Sequence, residues 1–67
     1  MQRRYEFRVA GRLSEQTRDA FDGMTVTTAP PHTIIYGEVA DDADLHRVLA
    51  LIQDLGLHVV SLNELPR

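Results

Sequence analysis

The sequence predicts an α+β domain in the order β-α-β-β-α-β, and three patterns carry that expectation. Polar and apolar residues alternate from Arg3 to Val9, apolar residues recur at helical spacing in two stretches, and two β-branched runs flank Pro30-Pro31. The chain has 67 residues, 43% hydrophobic and 25% charged, enough for one core and too apolar for a disordered segment. A single domain over residues 1–67 is therefore expected.

Each element has a local cause. In residues 3–9, Tyr5, Phe7 and Val9 fall on one side and Arg4, Glu6 and Arg8 on the other, the period of a half-buried strand. Gly11 interrupts it. Ser14 then offers an oxygen to cap a helix whose first turn carries Glu15, and Thr17, Ala20, Phe21 and Met24 form one stripe. This predicts a helix over 14–22 that Gly23 ends. Residues 25–29 are rich in β-branched side chains, and Pro30-Pro31 cannot donate to a ladder. A strand over 33–40 follows and completes an antiparallel hairpin, with Ile35, Gly37 and Val39 on one face and Ile34, Tyr36 and Glu38 on the other. Gly37 within that strand signals a bulge or a close neighbour. Asp41, Asp42 and Asp44 suit the positive end of a second helix, whose stripe of Leu45, Val48, Leu49, Ile52 and Leu55 is closed by Gly56. Residues 57–62 read as a last strand and 63–67 as a tail.

With right-handed crossovers, each helix-linked pair of strands lies parallel with another strand between, the split βαβ arrangement of ferredoxin-like folds. The expectation is a four-stranded antiparallel sheet in the order 4-1-3-2 with two helices on one face. They would cover Tyr5, Phe7, Val9, Val26, Ile35, Val39 and Val59. In the last strand, Val59 and Ser61 compete with His58, Val60 and Leu62 for the inward side.

Composition narrows the function. Without cysteine there are no disulfides, thiolate metal sites or thiol nucleophiles, and a cytoplasmic location is favoured. The opening residues lack the apolar run of a secretory leader, and no stretch approaches the roughly 20 apolar residues that span a bilayer, so no membrane partner is expected. Five arginines against three acids leave residues 1–20 at +2, and two against seven leave 21–67 at −5, for a net −3. That balance opposes nucleic acid, because each neutralised phosphate needs a basic side chain. The four glycines are isolated and build no phosphate cradle. His32, His46 and His58 show no ligand spacing, and no nucleophile stands beside a base, so no catalytic residue, metal or cofactor is assigned.

The face left open by the helices is the informative one. It presents Arg4, Glu6, Arg8, Ile34, Tyr36 and Glu38, to which Val60 and Leu62 are expected to add. A domain this small buries only about 60% of its unfolded surface. Covering an apolar patch rimmed by charge therefore stabilises it. Arg4, Glu6, Arg8, Ile34, Tyr36, Val60 and Leu62 are the candidate self-association residues, and a homodimer or other homo-oligomer is the expected assembly. A cofactor-independent enzyme would instead draw on Tyr36, Glu38 and His58 in a cleft between two such sheets.

The segments Arg8-Val9-Ala10-Gly11-Arg12-Leu13, Phe21 to Val26, Tyr36 to Asp41, Leu45-His46 through Leu55-Gly56-Leu57, and Ser61-Leu62 resemble a family of short bacterial proteins of uncharacterised function, abundant in actinobacteria. The resemblance implies the β-α-β-β-α-β order and brings no activity. This chain carries Arg12 and Glu38 where those relatives often have histidine and proline. A looser resemblance in topology is to ACT-like amino-acid-sensing domains. It implies a ligand loop at Gly11, Arg12 and Ser14, with Arg12 meeting a small carboxylate ligand. The leading expectation is a small non-catalytic interaction or accessory module that self-associates through its open sheet face or a sheet edge, with an unidentified protein as a further partner class. The alternatives are an ACT-like small-ligand-sensing regulatory domain and the cofactor-independent enzyme.

Overall fold

The computed structural model describes residues 3–66. Its elements are β1 (Arg3–Ala10), α1 (Glu15–Asp19), β2 (Thr25–Ala29), β3 (His32–Val39), α2 (Asp42–Asp54) and β4 (Val59–Leu65). The strands form one four-stranded sheet in the order β2-β3-β1-β4, with every neighbouring pair antiparallel. Phe7, Val9 and Ile35 from the central strands meet Phe21, Val48 and Ile52, all at most 4% exposed. Leu13 and Phe21 flank α1, while Leu45 and Leu49 belong to α2, and all four pack into this cluster. Both helices therefore lie over the same side of the sheet. Tyr5, Val26 and Val59 are partly buried against that core, and Val39 is buried, so the inward set is the expected one. Thr33, also buried, joins that side and donates its hydroxyl to the Gly11 carbonyl at 2.7 Å.

The longer helix owes its ends to side-chain and backbone chemistry. Asp41 accepts the Asp44 amide at 2.8 Å, and Asp44 Oδ2 accepts the Ala40 amide at 3.1 Å, a reciprocal arrangement that satisfies orphan donors at the entry to α2. At the other end Gly56 takes φ +74°. Its amide reaches the Gln53 carbonyl at 2.9 Å and the Leu57 amide reaches Ile52 at 3.1 Å, closing the helix in a Schellman motif. Leu57 then packs on the core beside the helix that it ends.

Several expected boundaries move. The helix expected over 14–22 is the five-residue α1, because the Ala20 and Phe21 amides bond only three residues back, to Thr17 and Arg18. That tightening ends the helix before Gly23 and leaves Ala20 exposed, although Phe21 is still delivered to the core. Strand β3 starts at His32 rather than 33, since His32 pairs with Ala29 and Pro30-Pro31 alone makes the turn. Gly37 marks a close neighbour and not a bulge: the β1–β3 register runs unbroken through Tyr5 opposite Gly37.

The last strand requires the largest correction. Residues 63–65 are not a tail; Asn63, Glu64 and Leu65 pair with Glu6, Tyr5 and Arg4, and β4 runs to Leu65. The beginning of the expected strand is taken instead by the turn that closes α2. Arg67, the end of the expected tail, lies outside the described residues. Register also shifts between Arg8 opposite Ser61 and Val9 opposite Val59, leaving Val60 as an extra, bulged residue. A one-residue shift exchanges faces downstream. Ser61, Asn63 and Leu65 thus share the open side with Arg8, Glu6 and Arg4, whereas Leu62 lies opposite Phe7 on the helix side. The expectation that Val60 and Leu62 both stand on the open face is corrected accordingly.

Candidate functional site

Strand register assembles the open side row by row. Glu38, Arg4 and Leu65 form one row across β3, β1 and β4; Thr25, Tyr36, Glu6 and Asn63 form the next; Thr27, Ile34, Arg8 and Ser61 follow. Antiparallel neighbours on one face stand close enough for their side chains to shield each other. Glu6, Arg8, Ile34, Tyr36 and Leu65 are half-buried as a result, while Arg4 and Glu38 are exposed. Arg4 faces Glu38 across the strands, and Glu6 lies two residues from both Arg4 and Arg8 along β1. Two guanidinium and two carboxylate groups therefore border Tyr36 and Ile34 along β1 and at the Glu38 end, with Thr25 and Thr27 on the β2 side, and the patch is neutral. Of the candidate self-association residues, Arg4, Glu6, Arg8, Ile34 and Tyr36 come together here. Ser61, Asn63 and Leu65 complete it: Pro66 makes 63–65 read as a tail, although their alternation with Leu62 and Glu64 is a strand signal, and Ser61 reads as sharing a side with Val59 until the bulge at Val60 separates them.

The other candidates lie apart. The Gly11 carbonyl is engaged by Thr33, and its amide donates to the Pro31 carbonyl at 2.9 Å. Ser14 caps α1: its oxygen accepts the Thr17 amide at 3.2 Å, and its hydroxyl donates to Thr17 Oγ1 at 3.0 Å. The polar groups of the candidate ligand loop are thus largely used by the fold, leaving the exposed Arg12. A concavity of about 210 Å³ lies beside the start of α2 instead, lined by Arg3, Tyr5, Val39, Ala40, Asp41 and Asp42. There Arg3 is pushed above its already high value, first by the Tyr5 side chain and then by the Glu64 carboxylate.

Tyr36 and Glu38 share the open side, but His58 is elsewhere. Its carbonyl accepts the Ala10 amide, at the end of β1 opposite to Arg4 and Glu6, which face Glu38 and Tyr36. Four to six residues at about 3.3 Å each separate those positions along the strand, on the order of 13–20 Å. One protomer does not bring the three into a catalytic cluster. Among the described residues, no group of three potential metal ligands converges. Asp44 titrates below the ordinary carboxylate range, held there first by the Ala40 amide and then by Arg47, whose Nε donates to Oδ1 at 2.8 Å. Its partners identify it as a helix-entry group.

A family model described as "Domain of unknown function (DUF8691)" matches residues 4–63. The chain belongs to the DUF8691 family. No curated protein and no solved structure matches the chain. The DUF8691 match takes in the open-side residues Arg4 through Asn63 and stops short of Leu65. Among the described residues, no helix is long and apolar enough to cross a membrane.

Proposed function

We propose that this domain is a small non-catalytic interaction module that binds a second copy of itself through the open side of its sheet. The observation that supports the reading is the neutral mosaic of Arg4, Arg8, Glu6 and Glu38 around half-buried Tyr36 and Ile34. A two-fold contact sets one patch against itself, so it must contain its own electrostatic complement. A patch of one sign would repel its copy; this one offers each arginine a carboxylate partner. A standard interface buries about 800 Å² per partner, roughly a sixth to a fifth of the 4481 Å² surface of this chain. Cover on that scale offsets the marginal core of so small a domain. The sheet order β2-β3-β1-β4 is 4-1-3-2 taken from the opposite edge, and on that ground we group the domain with ferredoxin-like folds. The cysteine-free composition supports a reducing, cytoplasmic setting.

The test is Ile34→Asp. It sets an unpaired carboxylate at the centre of the contact while leaving the buried core untouched. Light scattering should then give a lower mass than wild type with circular dichroism unchanged. A folded variant of unaltered mass refutes the proposal.

A further inference from the structure

We infer that the outer edge of β4 is a second self-pairing surface, which extends the sheet of one copy into that of another. The inference goes beyond the open-side contact and stands on different residues. In the order β2-β3-β1-β4 both β2 and β4 have an unpaired side, and such a row of free N–H and C=O groups is a template for another strand. Natural edges are guarded by shortness, proline, charge or a β-bulge. β2 has five residues, three of them threonine, and runs into Pro30-Pro31. β4 has seven; a bulge at Val60 guards one end and Glu64 with the following Pro66 the other, but Ser61, Leu62 and Asn63 between them carry neither charge nor proline.

Exposed apolar surface follows the same asymmetry. Among the described residues the large hydrophobics left in solvent are Leu55, Val60 and Leu62, at 37%, 47% and 37% exposure. Two lie on β4, and the third ends the helix that leads into it. Leu62 has no helix cover although it stands on the helix side, opposite Phe7. A strand added at this edge covers it and pairs the free backbone groups together.

The occupant is a second copy, because the strand complements itself. With a two-fold axis at Leu62, the antiparallel copy sets Leu62 against Leu62, Ser61 against Asn63 and Val60 against Glu64. Apolar groups meet at the centre, two polar side chains able to hydrogen-bond flank them, and no like charges are opposed. The axis is normal to the sheet, so both helix layers stay on one side and both open sides on the other. A face-to-face contact has its axis within the sheet plane. With the face-contact axis running across the strands to meet the edge axis, the two perpendicular two-folds generate a closed tetramer.

Sedimentation equilibrium on four proteins tests this: wild type, Leu62→Lys, Ile34→Asp and the double variant, each checked for fold by circular dichroism. Val60→Lys replaces Leu62→Lys if the latter does not fold. The expected masses are tetramer, dimer, dimer and monomer. A folded edge variant with the wild-type mass overturns the β4 inference, as does a monomeric wild type. If Leu62→Lys halves the mass while Ile34→Asp leaves it unchanged, the edge stands and the open-side proposal falls.

Discussion

Gly37→Ala adds one methyl group where β3 runs close against Met24. A Cβ there would sit 3.3 Å from the Cα and 3.3 Å from the Cγ of Met24, inside the 3.5–4.0 Å at which carbon atoms normally rest. The Met24 side chain can swing aside. Its Cα cannot, because it lies between the turn at Gly23, with φ +80°, and the start of β2 at Thr25. Two effects compete. Alanine restricts the unfolded chain and contributes about 0.4–1 kcal/mol of stability, whereas forcing a methyl into a packed contact costs about 1–3 kcal/mol. The second wins by about 1 kcal/mol. For a chain of 67 residues, an unfolding entropy of about 2.1 cal/mol/K per residue converts this into a Tm lower by about 7 °C. Thermal denaturation followed by circular dichroism reads the shift. Adding Met24→Ala removes Cγ but not Cα, so the pair should be non-additive by about 0.5 kcal/mol, with part of the loss remaining. A Gly37→Ala protein that melts at or above wild type refutes the reasoning, since the Met24 backbone would then yield at no cost.

Two further substitutions probe the core and the helix entry. Ile52 is fully buried among Phe7, Phe21 and Val48; Ile52→Ala should cost about 2–5 kcal/mol, a large part of the total stability expected at about 0.05–0.15 kcal/mol per residue. A urea midpoint close to wild type would show that Ile52 is not central. Asp44 is held below its usual titration range by the Ala40 amide and then Arg47. Its contribution is therefore complete above the unfolded value of about 3.9 and disappears as pH falls through the lower folded value. Wild type and Asp44→Ala should differ in urea midpoint at neutral pH and converge in strong acid. A gap that persists unchanged through the acid range contradicts this assignment.

Particular residues show how far the sequence could be read. The alternation of Tyr5, Phe7 and Val9 matches the buried side of β1, and the stripe of Leu45, Val48, Leu49 and Ile52 matches the core side of α2, because a face presented to water or to a core repeats with the local backbone period. Asp41 and Gly56 mark ends that their own side chain or φ angle makes. Leu55 has the spacing of the stripe but caps the helix and stays exposed, since belonging to a face does not ensure that the sheet extends beneath it. Of the candidate interaction residues, those on β1 and β3 are placed by period alone.

Period is a local property and is legible in one strand at a time; register is a relation between strands. Alternation by itself determined which residues of β1 and β3 share a side, and capping chemistry determined where α2 begins and ends. Only tertiary pairing decided that β4 carries a bulge at Val60, that Leu62 therefore turns toward the helix side, and that Leu65 belongs to the open face. One unpaired residue reverses every later side chain, and the hydrogen bonds that place it come from β1, about fifty residues earlier in the chain.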